Sequence, residues 1–177
     1  MIYEGRPGEP RTTVEEKTYD FLDKLEVEYF RADHEEAATI ELCKEIEKEL
    51  DAHICKNLFL CNRNKTSFYL LIMPGDKPFK TKELSSQINT SRLSFASGDD
   101  MEEMLGIKPG SVTVLALMND FEGKVQLIID RDLLKLEYLG CHPCMNTSTL
   151  KIRTNDILEK ILPAVNHIPL YVDLVGE

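Results

Sequence analysis

Lys56 and Asn57 stand directly against Leu58, Phe59 and Leu60 in the stretch CKNLFLCN. An amine at the edge of a low-dielectric core is costly unless it has an anionic partner or a polar cavity. A lysine at a strand start also serves as a surface residue whose stem covers apolar neighbours, and that reading stands beside the first. Four other polar features are candidates to converge with this pair. KPGSVT supplies Gly110 and Ser111 in a loop whose backbone N–H groups can point outward; HPCMNT supplies His142, Asn146 and Thr147; SRLSFAS supplies Arg92; ADHEEA supplies His34.

Cys141 and Cys144 in CHPC have the Cys-x-x-Cys spacing of zinc sites. Cys55 and Cys61, taken as the other pair, lie at the wrong separation for a second half-site. Buried thiols acting as small apolar residues are the stronger explanation, and no metal or other cofactor is expected. A Cys nucleophile beside His142 is weaker still, because adjacent strand residues seldom direct their side chains at one another.

The elements that must position these residues follow from pattern. Thr12 with Glu15, or Thr13 with Glu16, offers a capping box, and Val14, Thr18, Phe21, Leu22 and Leu25 share one helical face, predicting a helix to about Lys24. VEYFRA alternates as a strand, and Ile40, Cys43, Ile46 and Leu50 mark a second helix amid dense charge. NLFLCN and SFYLLIMP, separated by RNKT, read as a hairpin covered on both faces. A short helix in KTKELSSQIN, a strand in RLSFA, a helix in GDDMEEMLG and strands in KVQLIID, KLEYLG and TSTLKI follow. Thr154 is expected to cap a helix to about Leu162, and IPLYVDL to form a last strand. The interspersed order gives a mixed α/β (α+β) class: a mixed, largely antiparallel sheet or distorted barrel surrounded by helices. Neither GxGxxG nor GxxxxGK[ST] is present, so the usual phosphate-cradling loops are missing.

At 177 residues one domain is expected, spanning 12–177, with residues 1–11, rich in Gly, Pro and charge, as a flexible N-terminal arm. No apolar run approaches the roughly 20 residues that span a bilayer, so no membrane partner is expected. The start MIYEGRPGEPRTT lacks signal-peptide and transit-peptide character, and five cysteines form no even framework, so a cytoplasmic location is the expectation. The net charge of −10 argues against broad affinity for polyanions. It is unevenly spread: from Lys44 to Arg92 nine Lys or Arg face six Asp or Glu, leaving room for a locally basic face on an acidic body.

The motifs KNLFLCNRNKTSFYLLIM, LSSQINTSRLSFAS, LGIKPGSVTVLALMND and HPCMNTSTLKI, in this order, resemble the YbaK and prolyl-tRNA-synthetase-associated editing domain family, from about Thr12 to Leu174. Within it the likeness is closest to the free-standing prolyl-tRNA editing proteins. The resemblance implies a trans-acting deacylase for alanine mischarged onto proline tRNA, acting on the tRNA acceptor end, with prolyl-tRNA synthetase as a candidate partner. Deacylation of another mischarged tRNA, such as cysteinyl-tRNA(Pro), and a non-catalytic tRNA- or synthetase-binding module are the alternatives. It also implies that Lys56 and Asn57 are the active-site pair, that Gly110 and Ser111 belong to the substrate loop, and that His142 is the histidine of the HP..NT segment. Arg92 corresponds to a basic position near the acceptor end, Asn146 and Thr147 fall in the HP..NT segment, and His34 matches a histidine near the pocket. Val114 stands where the family often has proline, and Cys144 and Met145 where aliphatic residues are commoner.

The chemistry suits these parts. Aminoacyl esters are already activated, so positioned donors and an ordered water suffice without a protein nucleophile. On this reading Lys56 holds the terminal adenosine's phosphate or hydroxyl edge and Asn57 orients the substrate. Amides around Gly110 and Ser111 bind the carbonyl oxygen, and His142 orders water or a ribose hydroxyl. A lysine ammonium ordinarily releases its proton only near pH 10.4, about three units above neutrality, and so makes a poor base there, which favours an electrostatic role for Lys56.

Overall fold

Thr12 opens helix α1 (Thr13–Lys24) as the capping box predicts: its hydroxyl accepts the Glu15 N–H at 3.3 Å and donates to the Glu15 carboxylate at 3.0 Å. The buried stripe of this helix includes Thr18, Tyr19 and Leu22. The structure, a computed structural model, describes residues 1–36 and 39–176. Helix α2 (Ile40–Leu50) is capped by Thr39 and ends at Asp51, which takes the left-handed conformation.

Strand β1 (Ile2–Glu4) pairs antiparallel with β2 (Tyr29–Asp33), so the segment expected to be a loose arm is tied to the sheet. The tie is also ionic. Arg6 reaches Glu16, Asp20 and Asp23 on or beside α1, and the Arg31 guanidinium donates to the Gly5 carbonyl at 2.8 Å.

The predicted hairpin is β3 (His53–Cys61) and β4 (Phe68–Pro74), in unbroken register from Cys55 opposite Pro74 to Cys61 opposite Phe68. Helix α3 (Thr81–Gln87) follows, and the strand expected in RLSFA shrinks to β5 (Ser94–Phe95), paired with the end of β3. Helix α4 (Gly98–Leu105) has Ser97 as its cap and ends at Gly106, with φ +66°. The apolar VLALMN forms a 3₁₀ turn, Val114–Asn119. Strands β6 (Val125–Asp130), β7 (Tyr138–Cys141), β8 (Ser148–Arg153) and β9 (Leu170–Val172) complete the sheet. Between the last two, α5 (Thr154–Asp156) runs through a π turn (Ile157–Ile161) into α6 (Leu162–Ala164). Thr154 begins this helix but does not cap it, because its hydroxyl donates to the Leu136 carbonyl at 2.6 Å.

Among the described residues the strand order is β1-β2-β8-β7-β3-β4-β6-β9, with β5 beside β3. The β3–β7, β4–β6 and β6–β9 pairs are parallel and the others antiparallel, so the sheet is mixed as expected. The central strands are covered on both sides. Phe59, Cys61, Leu70 and Ile72 face the larger core with α1, α4 and the 3₁₀ turn, whereas Leu60, Leu71 and Met73 face a smaller core with Leu84 of α3 and Val172 of β9. The chain's last turn straps this second face: Leu174 gives its carbonyl to Lys77, and Glu83 accepts the Val175 and Gly176 amides.

Candidate functional site

The KPGS segment makes a turn with the geometry its residues dictate. Pro109 presets the first corner, Gly110 takes φ +90°, and the Ser111 N–H donates to the Lys108 carbonyl at 3.1 Å, the pattern of a type II turn. The Ser111 amide is therefore spent inside the turn and does not face a ligand, contrary to the expectation that both amides are offered. The Gly110 N–H sits at the exposed apex with no partner among the described residues. A Cβ on Gly110 would lie 3.4 Å from Asn146 Nδ2, so the turn abuts the HP..NT loop. Thr113 then caps the 3₁₀ turn through the Leu115 N–H at 3.3 Å, with Val114 buried in its first position.

His142, in the loop leaving β7, faces the Ser148 carbonyl with Nδ1 at 2.8 Å. A carbonyl can only accept, so Nδ1 carries the proton and Nε2 presents a lone pair, without a partner among the described residues. Burial pushes the His142 imidazole below the ordinary histidine value, and His34 adds to that. The two rings lie 6.3 Å apart, tilted by 58°. His34 is fully engaged: Nδ1 lies 2.6 Å from the Glu35 carbonyl, Nε2 lies 2.8 Å from the Thr149 hydroxyl, and its backbone N–H donates to the Thr147 carbonyl.

Thr149 and Ser148 were not singled out from sequence. Both are fully buried, and Ser148 donates to Asp33 at 2.7 Å. Burial pushes the Asp33 carboxyl up, but hydrogen bonds from Arg31 and Ser148 and the charge of Arg11 outweigh it and hold the group below the usual carboxylate value. A run of hydroxyls, TST, inside a strand was the available signal, since buried hydroxyls need partners.

Lys56 and Asn57 lie on opposite faces of β3. Asn57 is opposite Ile72 and shares its face with Cys55 and Phe59, toward the larger core that also holds Cys141 and Val114. Its Nδ2 donates to the carbonyl of Cys55, whose ladder partner is Pro74, a residue with no N–H to offer. Its Oδ1 is buried and has no partner among the described residues. Lys56 is opposite Met73, and its ammonium donates to the Lys77 carbonyl at 2.6 Å. Lys77 is itself pinned: its ammonium meets Asp130 at 2.6 Å, Asp132 at 2.7 Å and the Leu174 carbonyl.

The expected site residues thus fall into groups. His34, His142 and Thr147 share one hydrogen-bonded neighbourhood, and Gly110 abuts Asn146 of the same loop. Asn57 looks into the larger core, while Lys56 lines a cleft on the other side of the sheet with Leu58, Phe79, Lys80 and Phe95. Arg92 is exposed just before β5.

The thiols do other work. Burial pushes Cys55 up to about 12 and Cys144 up to about 11, and raises Cys141 still further, so all three stay protonated at neutral pH. A protonated thiol is a poor nucleophile, and these three pack as core residues.

Residues 34–160 match the family of the aminoacyl-tRNA editing domain. The chain is 32% identical over 143 residues to the prolyl-tRNA editing protein ProX of Acetoanaerobium sticklandii, covering 81% of this chain and 87% of that one. It is 31% identical over 153 residues to the prolyl-tRNA synthetase associated domain-containing protein 1 of Danio rerio, covering 85% and 82%. In fold it is similar to the crystal structure of a candidate trans-editing enzyme for prolyl-tRNA synthetase, with a TM-score of 0.69 at 14% identity over 95% of this chain and 100% of that one.

Proposed function

Because the chain belongs to the aminoacyl-tRNA editing domain family, we propose that it is a trans-acting deacylase that hydrolyses the ester between alanine and the terminal ribose of mischarged tRNA(Pro). The names of two relatives, a prolyl-tRNA editing protein and a prolyl-tRNA synthetase associated domain protein, support the tRNA and a role beside that synthetase. Alanine is the substrate that size discrimination makes necessary: a pocket built for proline admits a smaller side chain and loses only about 1–3 kcal/mol per missing methylene.

The observation that carries the reading is the Asn57 carboxamide. A buried acceptor without a partner costs about 1–3 kcal/mol, and a ligand donor relieves that cost. The α-ammonium of an aminoacyl ester is such a donor. With the amino acid held there, water attacks the ester carbonyl and gives a proton to His142 Nε2. The Gly110 N–H and the Asn146 amide then stabilise the oxyanion. As the carbonyl re-forms, the bond to the ribose oxygen breaks, and that oxygen takes the proton back from His142. Lys56, oriented by the Lys77 carbonyl, keeps two N–H groups for the nucleotide side of the substrate.

The test is release of labelled amino acid from a panel of alanyl-tRNA(Pro), cysteinyl-tRNA(Pro) and alanyl-tRNA(Ala) by the purified protein. Preferential turnover of the first is expected. Buffer-level hydrolysis of all three removes the proposal, and preference for the cysteinyl ester reassigns the substrate.

A further inference from the structure

The face of β3 that carries Lys56 opens into a cleft of about 510 Å³. Leu58, Phe79, Thr81 and Phe95 line it together with Lys56, Lys80 and Lys82, and the Lys56 ammonium is held by the Lys77 carbonyl. Phe95 is 62% exposed on the two-residue strand β5, an unusual place for a bare ring. It meets Phe79 edge to face, with centroids 6.3 Å apart and planes at 65°, which fixes its orientation while leaving area uncovered. No acid lines the cleft among the described residues. Glu83, the acid next to Lys82, is turned away, with both carboxylate oxygens accepting from the Val175 and Gly176 amides.

A chain of net charge −10 that lines one cleft with three lysines and two aromatic rings has the composition of a single-strand nucleic-acid platform, in which ring faces stack on bases and lysines neutralise the backbone. An apolar protein partner would bury the ammonium groups unpaired, and an acidic peptide would leave the rings unused. We propose that this cleft binds unpaired nucleotides at the 3′ end of the tRNA, with a base stacked on Phe95 and phosphates on Lys80 and Lys82. The proposal takes its ligand from the deacylase reading, and it adds a nucleotide subsite on the sheet face opposite Asn57.

The experiment measures binding, by fluorescence anisotropy, of an acceptor-stem RNA hairpin carrying an unpaired ACCA end and of the same hairpin cut back to a blunt end. The wild-type protein is expected to bind the tailed RNA more tightly. Phe95→Ala should weaken tailed binding about 5- to 150-fold, the range of one lost base–aromatic stack, and leave blunt binding where it was. Phe95→Tyr should retain the preference, whereas Phe95→Leu, which keeps apolar area without a ring, should lose it. Lys80→Gln with Lys82→Gln should lower the slope of log affinity against log salt by about 1.4. Equal losses on tailed and blunt RNA, or full tail preference in Phe95→Leu, would overturn the subsite and assign the cleft to another ligand. Deacylation by the wild-type protein is measured in parallel. Turnover with Phe95-independent binding defeats the subsite alone; tail binding through Phe95 without turnover defeats the deacylase reading alone.

Discussion

Replacing Asn57 with leucine separates a functional amide from a structural one. Leucine has nearly the same size and branching, so it fills the space without a cavity while removing both the buried Oδ1, which has no partner among the described residues, and the Nδ2 bond to the Cys55 carbonyl. Removing the orphan acceptor relieves about 1–3 kcal/mol, but the Cys55 carbonyl, opposite Pro74, then loses its donor at a similar cost of about 1–3 kcal/mol. The two offset, so the free protein should keep its stability to within about 1 kcal/mol, a change of at most about 2–4 °C in Tm for a chain of this size. Catalysis should not be spared. A hydrogen bond to a charged ammonium is worth about 1.5–3 kcal/mol, so single-turnover deacylation should fall about 10- to 150-fold. The assay is urea unfolding of the free protein beside deacylation of alanyl-tRNA(Pro) under enzyme excess. A variant that loses more than about 2 kcal/mol of stability and deacylates within about twofold of wild type would refute the reasoning, making Asn57 a strand-pairing residue that serves Cys55.

His142 predicts a pH profile. Its folded pKa lies below the ordinary 6.5, so deacylation should rise with pH to a plateau with its midpoint under 6.5, and His142→Gln should abolish that limb; a limb that survives the substitution belongs to another group. The same shift stabilises the fold above pH 6.5, a contribution lost as pH falls through the lower folded value, which urea unfolding across the acid range can read. Gly110→Ala forces a side chain into φ +90° and toward Asn146, so stability should drop by about 1–2 kcal/mol and deacylation by about 10- to 100-fold; a silent substitution would show that the turn does not position the site. Lys77→Met leaves the Asp130 carboxylate, 1% exposed, without its cation and should cost about 3 kcal/mol, with much of that recovered by Asp130→Asn in the same chain; no recovery would mean the lysine acts by packing.

Local chemistry was the legible part of this fold. The Thr12 cap, the helix that stops at Gly106 and the β3–β4 hairpin follow from residues a few positions apart. The parallel neighbours β3–β7, β4–β6 and β6–β9 join segments far apart in the chain, and no sequence period records which buried strands meet. At the site, the strand period of two already places Lys56 and Asn57 on opposite faces, and Pro109-Gly110 already consumes the Ser111 amide; both signals were present in the residues. The Lys77 carbonyl as the partner of Lys56 was not legible, because it depends on a turn held by an aspartate 53 positions away. Nor was the meeting of Phe79 with Phe95, which requires α3 to fold back on the sheet edge.

The strap formed by the last residues bears on how the protein is made. Lys77 meets the Leu174 carbonyl across 97 positions, and Gln87 accepts the Asp173 N–H across 86. Contacts of such sequence separation form late, because loop closure must be met before they contribute. The clasp that orients the Lys77 turn is thus among the last contacts the folding chain makes, after the local β3–β4 hairpin is in place.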